Sequence, residues 1–265
     1  MYKDIYSELA RLGQAGEDAA ICTVISVAGS TPREEGAKML VRADGSIVGT
    51  IGGGAVEKAS IKEALEVMRK GRAKKFEYVL NASGDLGMIC GGNTEVFIEP
   101  VLATPELFIF GAGHIGLSLA PMAKMVGFKV TVIDEREEYA STERFPDARV
   151  MLVEIQTAYE QLQVGDGDYV VIVTHGHKGD EVALEGALKT KAKYIGMIGS
   201  KSKNKAVFEN LERKGFSKDS FSRVFAPIGV RIKAQTPEEI AVAILAEMIS
   251  VRRGGAEPKG LHCAE

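Results

Sequence analysis

The sequence has few cysteines, no basic surplus and no long apolar run, and each shortage removes a class of function. Three cysteines, Cys22, Cys90 and Cys263, are present without a C-x-x-C pair, which excludes a disulfide scaffold or a four-cysteine zinc site within one chain. Lysine and arginine number 33 against 36 aspartates and glutamates, a net charge of −3, so nucleic acid is not an expected partner. No apolar run approaches the roughly 18 residues of a membrane span. Residues 1–14 carry charges throughout, where a secretion signal would be apolar. The expectation is a cytoplasmic protein with reduced thiols and no membrane contact. No internal repeat or low-complexity tract is present.

What is there has the composition of a globular protein, 45% hydrophobic and 26% charged over 265 residues, enough for two domains of ordinary size. Pro105 marks a natural boundary. Residues 1–104 read as a smaller N-terminal α+β domain: an opening helix over Tyr2–Leu12, a strand over Ala19–Ala28 with Cys22 as a core residue, a hairpin turning at Asp44-Gly45, a helix over Ala55–Lys70 and two further strands. Residues 105–265 alternate strand and helix, which predicts a Rossmann-type, doubly wound parallel sheet. The expected helices include Ile155–Leu162, Val182–Lys189, Asn204–Lys214 and one opened by Thr236-Pro237.

The second half is built around Leu107-Phe108-Ile109-Phe110-Gly111-Ala112-Gly113-His114-Ile115-Gly116. A buried strand runs into G-x-G-x-x-G, a helix follows, and a second strand ends at Asp134. This is the layout of a dinucleotide-binding unit. Gly111 allows the tight turn, Gly113 lets main-chain N–H groups approach a pyrophosphate, and Gly116 lets the helix pack closely on the strand. Asp134 would accept hydrogen bonds from ribose hydroxyls, so NAD or a similar dinucleotide is a candidate ligand.

Other segments carry candidate chemistry. Gly52-Gly53-Gly54 lies between a strand and a helix and could hold an anion, with Thr50 and Glu57 beside it; a tight turn is the plainer alternative. Cys90, flanked by Gly91 in a glycine-rich loop, could ligate a soft metal or exchange sulfur, or be an inert thiol. His175 and His177 place two imidazoles on one side of an extended segment, with Asp180 close behind. Without a third histidine nearby no protein-only metal site is expected, and phosphate or pterin contacts suit these residues equally. They are also the acid/base candidates of an oxidoreductase. Gly199-Ser200-Lys201 resembles an anion nest, although Lys201, Lys203 and Lys205 fit a solvated helix face as well. In a doubly wound sheet the 111–116, 175–180 and 199–203 loops should converge beyond the strand ends.

Taken in order, these segments resemble the XdhC/CoxI family, the accessory factors of xanthine dehydrogenase and related molybdenum hydroxylases. The resemblance spans about residues 20 to 253 and rests on Gly29-Ser30-Thr31-Pro32-Arg33, Gly49 to Gly54 with Glu57, Cys90-Gly91-Gly92, Phe110 to Gly116 with His114, Thr174 to His177 with Asp180, and Ile198 to Lys201. It implies a nucleotide-binding chaperone rather than an enzyme. Such a protein would bind the molybdenum cofactor as cargo, support its sulfuration and insert it into an apo molybdenum hydroxylase of the xanthine dehydrogenase type. A cysteine desulfurase would supply the sulfur. A homodimer is the default assembly. The competing reading is an NAD-dependent oxidoreductase.

Overall fold

Alternation of burial along one strand organises the first half of the chain. The computed structural model describes residues 2–29, 31–80 and 92–255, and the chain divides into two units, Met1–Thr104 and Pro105–Glu265. In the first unit the elements are α1 (Tyr2–Ala15), β1 (Ala19–Ala28), β2 (Lys38–Arg42), β3 (Ile47–Gly49), α2 (Gly54–Lys70), β4 (Lys74–Leu80) and β5 (Gly92–Val101). The sheet is antiparallel in the order β3-β2-β1-β5-β4. On β1, Ala20, Cys22 and Val24 face the cluster that buries Val56, Ala64 and Val67 of α2. Ala19 and Ile21 face the opposite way, onto Ile5 and Leu12 of α1. A strand side chain switches face at every residue, so this one strand serves both layers. Asp44-Gly45 turns the β2–β3 hairpin as its sequence predicts.

The second unit continues with β6 (Glu106–Phe110), α3 (His114–Met125), β7 (Lys129–Asp134), β8 (Arg149–Leu152), α4 (Ile155–Ala158), β9 (Tyr169–Ile172), α5 (His177–Leu188), β10 (Tyr194–Met197), α6 (Lys201–Arg213), β11 (Val224–Phe225) and α7 (Pro237–Arg252). Its six strands are all parallel, in the order β11-β10-β9-β6-β7-β8. Counted within the unit, this is the Rossmann order 3-2-1-4-5-6, which reverses direction between β6 and β9. Phe108, Phe110, Val170 and Ile172 bury against α4, α5 and α6 on one face. Leu107, Ile109, Val130 and Val171 bury against α3 and α7 on the other. The sheet is therefore doubly wound.

Two expectations change, and one strand is unforeseen. The helix expected over Ile155–Leu162 stops at Ala158, because Tyr159 turns inward to stack on Phe110 at 4.8 Å and donates its hydroxyl to the Ala183 carbonyl at 2.8 Å. The helix expected from Val182 begins at His177, five residues earlier. A Cβ at Gly179 would lie 2.7 Å from Thr174 Oγ1, so the missing side chain lets this first turn sit against the end of β9. β11, only two residues long, carries no periodic signal and is held by its parallel pairing with β10.

Cys22 is fully buried, and burial pushes its thiol up to about 12. Iodoacetamide at about pH 8 should therefore leave Cys22 unmodified in the folded chain and label it in urea, as read by peptide mass spectrometry.

Candidate functional site

β6, β9 and β10 are neighbours in the sheet, and the loops leaving their carboxyl ends carry the residues that the sequence singles out. These loops touch. A Cβ on Gly111 (φ +119°) would lie 2.3 Å from the Val173 carbonyl oxygen, and one on Gly116 would lie 2.1 Å from the Gly111 carbonyl oxygen. Only glycine allows either approach. A Cβ on Gly113, the residue capping α3, would meet nothing within 4 Å. His114 follows it, exposed, as the first residue of α3.

The acid expected to greet a ribose is already engaged. Ala112 N–H donates to Asp134 Oδ2 at 2.8 Å, Arg136 Nη2 donates to the same oxygen at 2.8 Å, and Arg136 Nε donates to Oδ1 at 2.9 Å. Burial acts to raise the Asp134 carboxyl, but the Arg136 guanidinium and the main-chain donors outweigh it and hold the group below its usual range. Arg136 in turn lies 3.9 Å from the Tyr139 ring centroid, while Arg144 reaches back to the carbonyls of Ala112 and Tyr139 at 2.9 and 2.8 Å. Neither arginine belongs to the glycine motif. Only their position just past a strand ending in Asp134 could have flagged them.

Asp180 is also filled from within. It is completely buried, and its Oδ1 accepts Thr174 N–H at 3.1 Å and the Thr174 hydroxyl at 2.7 Å. Its Oδ2 is ion-paired with Lys203 Nζ, whose side chain is 17% exposed. Lys203 is thus not on a solvated face, unlike Lys205, which makes only an exposed pair with Glu209. Nor do the two histidines share one extended segment. His175 lies in the loop and His177 opens α5 beyond Gly176, both exposed. Among the described residues no group of three or more His, Cys, Asp or Glu side chains could hold a metal ion. Ser200 caps α6 by accepting Lys203 N–H at 3.2 Å, and Lys201 projects from the first turn, exposed.

The first unit repeats the pattern. In the Gly52-Gly53-Gly54 turn, Glu57 Oε1 accepts Gly53 N–H at 2.9 Å, Ile51 N–H at 3.2 Å and the Thr50 hydroxyl. The donors expected to meet an external anion at Ile51 and Gly53 hold this carboxylate. Cys90 and Gly91, together with Cys263, lie outside the described residues.

Such a scaffold, a parallel sheet with glycine turns and charged loops at one end, defines a Rossmann class of fold. The XdhC Rossmann domain matches residues 107–248, and the XdhC and CoxI family matches residues 12–79. The chain belongs to this family. It is 35% identical to the uncharacterized protein YqeB of Escherichia coli K12 over 98% of this chain and 49% of that protein. A Bacillus subtilis protein named as a probable xanthine dehydrogenase subunit is 31% identical over 60% of this chain and 47% of its own length. With the molybdenum cofactor insertion chaperone PaoD of E. coli the chain shares 26% identity, over 90% of this chain and 85% of PaoD. The chain thus spans about half the length of the first two and most of the third. A crystal structure described as a xanthine dehydrogenase from Bacillus halodurans matches the fold with a TM-score of 0.53 at 24% identity, over 96% of this chain and 97% of that one.

Two outcomes follow from the buried acids. Lys203→Met, which strands the Asp180 charge, should cost about 3 kcal/mol in urea unfolding, and under about 1 kcal/mol when Asp180→Asn is already present. Asp134 titrates below its unfolded value of 3.8, so the stability it contributes is complete above that value and is lost as pH falls through the folded pKa. Asp134→Asn should accordingly lose less stability than the parent chain between about pH 5 and about pH 3, measured by thermal midpoints.

Proposed function

We propose that this chain is a maturation factor that holds the molybdenum cofactor as cargo, supports its sulfuration and delivers it to an apo molybdenum hydroxylase of the xanthine dehydrogenase type. The observation that carries this reading is likeness along 90% of the chain to a protein named as a molybdenum cofactor insertion chaperone. The relative whose name places it in a xanthine dehydrogenase supports the choice of client. The architecture is compatible: Gly113 faces open space at a helix N-terminus beyond a parallel strand, where a phosphate-bearing guest can approach main-chain N–H groups.

In this reading the N-terminal domain is residues 1–104 and the Rossmann domain residues 105–265. Cys90 is the ligand to the cofactor molybdenum or to the incoming sulfur, since a thiolate suits a soft metal. The sulfur comes from a cysteine desulfurase, and the factor works as a homodimer. His175 and His177, exposed beside the guest's entrance, contact its polar groups rather than exchange protons in a hydride transfer. The oxidoreductase alternative has less support, because both oxygens of the acid that would hold an NAD ribose are bonded to Ala112 and Arg136.

When the chain is produced alongside an active molybdopterin pathway, the purified protein should retain a pterin that oxidises to a fluorescent product. Cys90→Ser should lower retained molybdenum more than Cys22→Ser or Cys263→Ser, as measured by elemental analysis. Equal retention in all three variants would remove Cys90 from the site, and absence of pterin would overturn the cargo reading.

A further inference from the structure

Three acids hold donors that the sequence offers to a ligand anion, and a separate group of cations has no acid paired to it. A cavity of about 550 Å³ opens beside Gly199 in the second unit, beyond the carboxyl ends of β10 and β11. Lys201, Arg231 and Lys233 line it. All three side chains are exposed, and none of them forms an ion pair or a side-chain hydrogen bond among the described residues. No acidic residue lines the cavity. Its remaining wall is largely apolar and includes Ile198, Ile228 and Ile232, the last 51% exposed between the two cations of its own segment.

The wall is built, not draped. Residues 228–230 are pinned at three successive N–H groups: Ile228 donates to Met197 O at 3.0 Å, Gly229 to Glu247 Oε1 at 2.8 Å and Val230 to Ala243 O at 3.1 Å. Glu247 is buried and also accepts the Tyr194 hydroxyl at 2.7 Å, which fixes the strap to β10. Beyond the pinned residues Lys233 has φ +60°, the only positive φ at a non-glycine position among the described residues. Strain of this kind persists where the surroundings over-determine the conformation, and it gathers at ligand sites.

We propose that this cavity is a phosphate-binding pocket of the Rossmann unit, in which Lys201, Arg231 and Lys233 hold the phosphate of an ester whose flat heterocycle lies on the isoleucine wall. Arginine offers a planar fork that matches phosphate oxygens, and the lysines act as point charges. No residue of the Gly111–Gly116 turn lines the pocket, so it adds a contact that the glycine motif does not provide. It deepens the cargo reading and rests on that reading only for the identity of the heterocycle; the preference for phosphate rests on the lining.

The test uses the full chain and the fluorescent diphosphate mant-ADP as probe. Binding should be displaced by inorganic pyrophosphate, and the dephosphorylated fluorophore mant-adenosine should not bind. Arg231→Gln and Lys233→Asn, the latter a residue that tolerates the left-handed backbone, should each weaken mant-ADP about tenfold. Lys178→Gln, a cation outside the cavity, should leave it unchanged. Parent affinity in both cavity variants, or loss of binding in Gly113→Ala alone, would overturn the proposal; circular dichroism confirms that each variant is folded. A second arm measures pterin retained after production with an active molybdopterin pathway. If the parent retains none while the cavity variants still lose mant-ADP, the cargo reading fails and the pocket stands. If all retain pterin and bind mant-ADP equally, the pocket fails and the cargo reading stands.

Discussion

The Rossmann unit depends on a buried carboxylate that would be intolerable alone. Asp180 sits with no exposure at the start of α5, and it is held there by two donors from Thr174 and by the Lys203 ammonium from α6. A charge in such a place costs several kcal/mol unless it is paired and hydrogen-bonded. Pairing it ties the end of β9, the first turn of α5 and the first turn of α6 into one cluster. The Gly111 contact with Val173 extends that cluster to the end of β6. Three neighbouring strand ends thereby acquire a fixed geometry.

The same device recurs twice. Asp134 closes on Ala112 N–H and Arg136 after β7, and Glu57 closes on Gly53 and Ile51 N–H at the start of α2. In each case main-chain donors that a strand-to-helix turn leaves unsatisfied meet an acid of the chain itself. Lys201, Arg231 and Lys233 line a cavity of the same unit without pairing to any acid among the described residues. Such an arrangement suits the cargo role proposed for this chain. Solvated cations beside a pinned strap can bind an anion without first leaving an unpaired buried donor behind.

Much of the architecture was legible in the sequence. Apolar runs placed β1 and β6 within a residue or two and the end of β7 at Asp134, and the spacing from Gly111 to Asp134 identified the first βαβ unit. The glycine roles at Gly111 and Gly116 follow from steric reasoning that holds in any such unit. The start of α7 was readable from Thr236 as cap and Pro237 as first residue, and the structure adds a capping box with Glu239. Local signals of this kind need no tertiary information.

Charge partners far apart along the chain were not legible. Lys203 is 23 residues from Asp180, and Arg231 and Lys233 stand in a segment with no periodicity, so nothing nearby in the chain marks them. Tyr159 leaves its helix because Phe110, in the first strand of the unit, offers a stacking surface. The sequence by itself determined the family, the two-part α/β organisation and the turns where only glycine fits, because those rest on contacts within a few residues or on steric limits of the backbone. Only the tertiary structure decided that Asp180 closes on Lys203 and which cations stay open, because an ion pair between distant residues is settled by distance through space rather than by separation along the chain.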